Sequence, residues 1–371
     1  MTDSLSIISG KGGSGKTSLA ILLSQLLASC GYKVLLVDCD MSTHGATYFF
    51  EEKLNEKERY YTVGNIFYEN KNLPNLEVLQ VIANIDFIPS RIDFSSKKKL
   101  GEINTSKFQT FFGEKMEKQN YDMVIFDCQA GYSIETEIVT RISKKSLAVI
   151  EADAISASAL RILYAQLAGQ LDKAKTYQIF NKITKEEHEI YSKLTHGTLF
   201  PNLNPIIFDW NLRKAFITND LPEIDASTPI LTTSIYELAL ALFPQYKDNL
   251  REFILNIKQN RSDSLKETLK IIRIRNKRDF LKKILNPLTF LAALITLVFS
   301  LFSIYGFSEL KFLSFNYIAI PLLCGLCLFL FTISLKKGRD NNDQINMLEL
   351  NKEQEQLENE IKQIKLKLKQ Q

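Results

Sequence analysis

The feature that most narrows the folds open to this chain is a nine-residue run near its start, Ser9-Gly10-Lys11-Gly12-Gly13-Ser14-Gly15-Lys16-Thr17. An apolar, strand-like stretch, Leu5 to Ile8, precedes it, and an amphipathic helical pattern begins near Ser18. Gly10, Gly15, Lys16 and Thr17 satisfy G-x-x-x-x-G-K-[ST]. At that spacing a glycine-rich loop curls so that its N–H groups converge on phosphate oxygens. The N-terminus of the following helix adds partial positive charge at the same place. An unstructured glycine-rich stretch would not account for a strand before the loop and a helix after it. Gly10, Lys11, Gly12, Gly13, Ser14, Gly15, Lys16, Thr17 and Ser18 are therefore candidate nucleotide contacts, with the Thr17 hydroxyl a candidate Mg²⁺ ligand.

Apolar runs recur through the first 260 residues, at Leu5 to Ile8, Lys33 to Val37, Asp86 to Ile88, Met123 to Phe126, Leu147 to Ile150, Tyr177 to Phe180 and Pro205 to Phe208. Helical patterns separate most of them, as at Ser18 to Ser29 and Ala157 to Ala168. Strands alternating with helices predict an α/β domain with a mainly parallel sheet covered on both faces. Two of the strands end in acids: Val34-Leu35-Leu36-Val37-Asp38-Cys39-Asp40 and Tyr121-Asp122-Met123-Val124-Ile125-Phe126-Asp127. Carboxylates at the C-terminal ends of parallel strands lie where ligands bind in such sheets. The span from Glu51 to Asn72 has no clear period and reads as a helix-and-loop excursion at the mouth of the sheet.

Lys11 is not needed to hold phosphates within one chain. With it, Lys11 to Thr17 read KGGSGKT, and the loop resembles at every position the KGGxGKT of the MinD/ParA family of deviant Walker A P-loop ATPases. The resemblance extends over about Leu5 to Phe253. It implies ATP and Mg²⁺ as ligands, ATP hydrolysis, and a homodimer closed as an ATP sandwich in which Lys11 crosses to the partner's nucleotide. It further implies that Lys11, Lys16 and Asp40 are the catalytic groups and that Asp38 helps hold the loop. Thr17, Asp40 and Asp127 would serve the Mg²⁺ shell. Asn181 falls where the family places an adenine-reading asparagine, and Phe208 to Ala215 with Leu221-Pro222 where it borders the base. Two departures bear on how the site senses the terminal phosphate. Met41-Ser42 stand where many members have Pro-Gln, and Gln129 stands for the proline of DxPAG.

After about Asn260 the pattern changes. A basic juxtamembrane segment, 261–283, contains KIIRIRNKRDFLKK from Lys270 to Lys283. Ile284 to Ser308 then gives 25 residues without a charge, and after Glu309-Leu310-Lys311 come 24 more, Phe312 to Leu335. A hydrocarbon core about 30 Å thick needs roughly 20 apolar residues as helix. Two such runs back to back favour a transmembrane hairpin over buried soluble helices. Basic residues before the first span and after the second, at Lys336, Lys337 and Arg339, place both termini on the cytoplasmic side of the inner membrane. No cleaved signal peptide is visible in the first ten residues. In the last segment, 341–371, Met347, Leu350, Gln354, Leu357, Ile361, Ile364 and Leu368 alternate spacings of three and four. That is a coiled-coil seam with one polar gap, or else a single amphipathic helix lying on another surface.

Composition excludes some classes and leaves others. Five scattered cysteines (Cys30, Cys39, Cys128, Cys324 and Cys327) are no disulfide framework. A net charge of +4 is too small to imply nucleic acid, and the basic cluster beside the expected spans fits anionic lipid headgroups better. His188 and His196 have no cysteine near them for a structural zinc site. His44 reads as a loop residue that touches nucleotide or partner, or as neither. Cys39 and Cys128 read as buried packing residues, with a redox pair as the alternative, and Cys324 and Cys327 as packing residues of the second span. The functional expectation is a membrane-anchored ATP-dependent dimerisation switch that positions or regulates partner proteins, with the coiled coil recruiting one of them. Rival readings are a nucleotide-binding membrane scaffold with little hydrolysis, and a bacterial tyrosine-kinase-like protein. The kinase reading is weakened by a tail without tyrosine from Lys336 on.

Overall fold

The computed structural model describes residues 2–54, 60–68, 77–90, 106, 108, 110–112, 120–167, 171–184, 187, 199–222, 224–225, 229–305, 347–366 and 368, with side chains beyond 278 described only at 291 and from 347 on. The chain divides into two compact units, Met1–Ile257 and Lys258–Gln371.

The first unit is built on a seven-stranded sheet in the order β3-β4-β2-β5-β1-β6-β7. The strands are β1 (Asp3–Ser9), β2 (Val34–Cys39), β3 (Leu79–Ile82), β4 (Ile85–Ile88), β5 (Met123–Ala130), β6 (Lys145–Ile150) and β7 (Thr176–Phe180). All pairings are parallel except β3 with β4. Period-2 alternation sorts the side chains onto two cores. Leu5, Ile7, Val34, Leu36, Ile125 and Val149 face one core, where helices α1 (Lys16–Ser29) and α7 (Pro229–Leu242) pack. Ile8, Leu35, Val37, Val124, Phe126 and Ile150 face the other, covered by α3 (Val63–Tyr68), α4 (Ile134–Ile142) and α5 (Ala154–Gln166). A sheet buried on both faces explains why β2 and the first six residues of β5 are fully buried and read as near-continuous apolar runs.

Two expectations are corrected. Pro205 to Phe208 does not form a strand: it makes one isolated bridge, Ile183 with Ile207, and Asn202 just before it makes another, with Gln178. Pro205 has no N–H to give a ladder. The strand β3 was not expected. It turns back through Asn84, in the left-handed region at φ 61°, to pair antiparallel with β4 at the sheet edge. The Glu51 to Asn72 span holds a short 3₁₀ turn, Glu51–Lys53, and α3.

In the second unit, helix α8 (Lys247–Tyr305), which starts in the first unit, carries a buried stripe of Ser262, Leu265 and Leu269. A second helix, α9, occupies 347–366. Lys258 pairs with Glu360, Arg261 with Glu353 at 3.0 Å, and Lys266 with Glu358 at 3.2 Å. Along α9, Met347, Leu350, Gln354, Leu357, Ile361 and Ile364, and beyond it Leu368, are half-buried. Among the described residues no helix is long and apolar enough to cross a membrane. The expected second span, 312–335, lies outside the described residues, as do 306–308 of the first, Cys324, Cys327, His188, His196, 341–346 and 369–371.

Candidate nucleotide site

The loop between β1 and α1 lies at the C-terminal edge of the sheet, and its shape follows from what each residue must avoid. Gly15 has φ 91°, in the left-handed region, and a Cβ there would sit 2.2 Å from the Asn181 side-chain nitrogen. Only glycine fits both constraints. Gly15 is also the N-cap of α1 and offers no side-chain cap, so the first N–H groups of a 14-residue helix face the loop without a side-chain acceptor. Lys16 is buried and donates to Ser9 Oγ at 2.9 Å, while Ser9 Oγ donates to the Lys11 carbonyl at 2.8 Å. The Thr17 hydroxyl donates to Asp127 Oδ2 at 2.6 Å.

Two acids meet beneath the loop because their strands are in register: Asp38 of β2 is the Cα partner of Asp127 of β5. Both are fully buried. Burial pushes the Asp38 carboxyl up, and the Asp127 charge beside it adds to the shift. Burial likewise raises Asp127, against the pull of Lys16 and the Thr17 hydroxyl. Asp40 differs. Burial works to raise it, but hydrogen bonds from Thr43 and Ser42 prevail and hold it below the ordinary carboxylate range. Its Oδ1 accepts from the Ser42 and Thr43 N–H groups and its Oδ2 from the Thr43 hydroxyl at 2.6 Å, so Asp40 ties down the segment that follows it.

A nucleotide with Mg²⁺ suits these residues. Ser14 Oγ and Asp127 Oδ1 are buried with no hydrogen-bond partner among the described residues. Those are the donor that a phosphate oxygen satisfies and the acceptor that a metal-bound water satisfies. Among the described residues no three His, Cys, Asp or Glu side chains cluster as a metal cage. A Mg²⁺ held by one hydroxyl and nearby carboxylates, completed by phosphate oxygens and water, needs no such cage.

Three residues that motif reading passed over hold the loop. Lys182, in the left-handed region at φ 60°, donates from Nζ to the Gly13 carbonyl and pairs with Glu151 at 2.9 Å. Asn181 Nδ2 donates to the Ser14 carbonyl at 2.8 Å, so the expected base-reading amide is engaged with the loop. Drawing these carbonyls outward leaves the loop N–H groups to the phosphate side. Lys11 pairs with Glu151 at 3.1 Å and with Asp153 at 3.4 Å, all on its own chain. Asp153 also caps α5 by accepting from the Ser156 N–H at 2.7 Å. The local cue was Asp-x-x-Ser at a helix start, a capping signature.

The remaining expected residues fall nearby. The Phe208 N–H donates to the Ile183 carbonyl, which sets Phe208 and the exposed Trp210 beside the Asn181-Lys182 strand end. Trp210 starts α6 (Trp210–Thr218), capped by Asp209, and Arg213 lies over its ring. Cys39 and Cys128 are buried Cα partners on β2 and β5, and burial pushes both thiols up, which disfavours the reactive thiolate.

Residues 2–195 match the family described as an AAA domain. The chain is 28% identical over 134 residues to the sporulation initiation inhibitor protein Soj of Bacillus subtilis, over 36% of this chain and 51% of that protein. It spans about half the length of the curated relatives it matches. Among solved structures, the MinC:MinD cell division protein complex of Aquifex aeolicus aligns at a TM-score of 0.55 and 20% identity, over 66% of this chain and 96% of that one. The septum site-determining protein MinD with Mg-ADP from Pyrococcus horikoshii aligns at 0.51 and 22%, over 65% and 96%. At those identities the two structures establish a shared fold.

Proposed function

We propose that this chain, which belongs to the AAA-domain family, binds and hydrolyses ATP as a two-subunit switch anchored in the cytoplasmic membrane. The observation that carries the nucleotide reading is the pair of orphaned buried atoms, Ser14 Oγ and Asp127 Oδ1, set beside Lys16, Thr17 and the uncapped start of α1. Thr17, Asp127 and Asp40 are the residues to hold Mg²⁺, which when bound neutralises phosphate charge. Lys16 binds the outer phosphates, and the N–H groups of residues 12–16 orient them. Asp40 orders the attacking water from the segment it caps.

Lys11 is the group offered to a second subunit. It is partly exposed and paired only through surface carboxylates, which costs little to exchange for a triphosphate. Such a lysine acts as an arginine finger does, by neutralising charge as the transferred phosphoryl group leaves. The uncharged runs 284–308 and 312–335 form the membrane hairpin, with both termini cytoplasmic and the basic segment 261–283 on anionic headgroups. A hairpin is an effectively permanent anchor, so ATP controls dimerisation and partner choice within the membrane plane rather than attachment. The coiled-coil segment then pairs α9 with the stretch of α8 from Lys258 to Lys266, leaving its outer face for a partner protein.

Two measurements test this. Lys11→Ala in the full-length protein should abolish phosphate release while nucleotide binding persists, and normal hydrolysis by that variant sinks the sandwich. Recovery of the intact chain in the soluble fraction without detergent sinks the anchor.

A further inference from the structure

The segment after Asp40 is tied to the sheet by a chain of hydroxyls outside every motif named above. Asp38 Oδ2 accepts from the Thr47 N–H at 2.8 Å and from the Thr47 hydroxyl at 2.7 Å, and Asp38 Oδ1 accepts from the Asp40 N–H at 3.0 Å. Thr47 Oγ1 accepts the Ser90 N–H at 2.9 Å and lies 3.0 Å from Ser90 Oγ. Ser90 Oγ lies 2.7 Å from His44 Nδ1. Thr47 and Ser90 are completely buried. They meet because Thr47 sits in α2 (Gly45–Phe49), just beyond β2, and Ser90 just beyond β4, and those strands are neighbours.

Counting protons orients the chain. With Asp38 ionised, the single hydroxyl hydrogen of Thr47 goes to Asp38, so the Ser90 hydroxyl donates to Thr47. With its own hydrogen used, Ser90 Oγ accepts from His44 Nδ1. The imidazole is thereby held with a proton on Nδ1. Two backbone features add to this. His44 has φ 55°, a left-handed conformation that a non-glycine residue keeps only where its surroundings demand it. At Gly45 a Cβ would sit 3.1 Å from Thr17 Oγ1, so the turn lies directly on the loop threonine.

We infer that Ser90 and Thr47 are positioning residues of the hydrolytic site. Their relay fixes the His44 ring and clamps the turn between Asp40 and Thr47 against Asp38 and Thr17. This rests on the ATPase reading. Thr47 and Ser90 make their side-chain bonds to Asp38, to each other and to His44 rather than to residues 10–18, so they act on turnover rather than on nucleotide affinity.

The test uses the full-length protein with isotope-labelled histidine. There are three histidines, and the His44 signal is assigned by its loss in His44→Asn. Nitrogen NMR should show the Nδ1–H tautomer at His44 in the wild type and in Thr47→Ser, and its loss in Ser90→Ala and Thr47→Val. Those two variants should lower kcat about tenfold with nucleotide Kd within about twofold, as loss of one aligned hydrogen bond does when it acts only on the barrier. Thr47→Ser should restore kcat to within about threefold of wild type. An Nε2–H tautomer in the wild type overturns the relay. So does an unchanged kcat in Ser90→Ala, or a Kd that weakens in step with kcat. A wild type without turnover removes the ATPase reading instead, and the tautomer still decides the relay.

Discussion

Beneath the phosphate loop, Lys16, Thr17, Asp38 and Asp127 are brought together from α1, β2 and β5 and are held by bonds that cross between strand ends. Along α8 and α9, the pairs Lys258–Glu360, Arg261–Glu353 and Lys266–Glu358 join partly exposed side chains. The first arrangement fixes atoms to within a hydrogen bond, because a buried polar group without a partner is expensive. The second fixes little more than which helix faces lie together, because water competes for every partner. The proposed chemistry therefore rests on the first unit, and the proposed association with a partner on the second.

The largest expected effect breaks that division at its centre. Lys16→Ala removes the ammonium that the buried side of the loop is built to hold. Nucleotide affinity should fall at least about a hundredfold, since charge-assisted bonds to phosphate are worth about 1.5–3 kcal/mol each. Titration of the full-length variant with a fluorescent ATP analogue measures this. A Kd within about threefold of wild type would mean that the loop does not bind phosphate as its burial implies.

A smaller effect should separate the units by pH. Burial raises Asp38 to about 7 and Asp127 to about 6, each above the ordinary unfolded value of about 3.9. For an acid raised on folding, stability is complete below the unfolded pKa and is lost as pH rises through the folded one. Without metal, the first unit should lose a few kcal/mol between about pH 4 and pH 7. Mg²⁺ with nucleotide requires the ionised acids, so its stabilisation should grow across the same window. Thermal melts at pH 5.5 and 8, with and without Mg²⁺ and nucleotide, give the comparison. An equal ligand-induced shift at both pH values would place the metal elsewhere.

The outcome follows what each kind of residue reveals in sequence. The meeting of Gly15, Lys16, Thr17, Asp38 and Asp127 at one edge of the sheet was legible because the motif sets those residue types at fixed offsets on a strand–loop–helix frame. Six of the seven strands were visible as apolar runs because they are buried on one or both faces. The edge strand β3 was not: its pattern, Leu79 and Val81 buried with Gln80 exposed, is four residues long and carries no more signal than a loop. Pro205 to Phe208 misled in the opposite way, being apolar because Ile206 is buried, although the segment makes a single bridge and no strand. Asp153 carried a local capping cue, but Glu151, Lys182, Thr47 and Ser90 were invisible because their roles depend on which strand ends become neighbours. That order follows from the crossovers, not from local pattern.

Glu151 gives a milder test, since it joins Lys11 and Lys182 at the rim of the buried site. Burial works to raise it, but the two lysines prevail and hold its carboxyl below the ordinary range. It is a quarter exposed, so the pairs are screened. Glu151→Gln should loosen Lys11, leaving it the Asp153 contact, and favour ATP-dependent dimerisation by about two- to fivefold, with nucleotide affinity changed less. Sedimentation in detergent with ATP and with ADP reads the dimer. A weaker dimer would show that Glu151 serves the closed pair instead of holding Lys11 back.

The smallest effect lies in the second unit and is the sharpest check on the comparison. Arg261 and Glu353 meet through two guanidinium nitrogens, at 3.0 and 3.2 Å, with both side chains about a third exposed or more. A double-mutant cycle, Arg261→Gln with Glu353→Gln, should return a coupling of about 0.2–1 kcal/mol. Raising salt to about 1 M shortens the screening length to roughly 3 Å and should erase most of it. The same salt should leave the bond between Thr17 and Asp127 intact, because Asp127 is completely buried. A coupling above about 2 kcal/mol, or one that survives high salt, would mean that the helix pair is specified as tightly as the phosphate site. The division of labour between the two units would then fail.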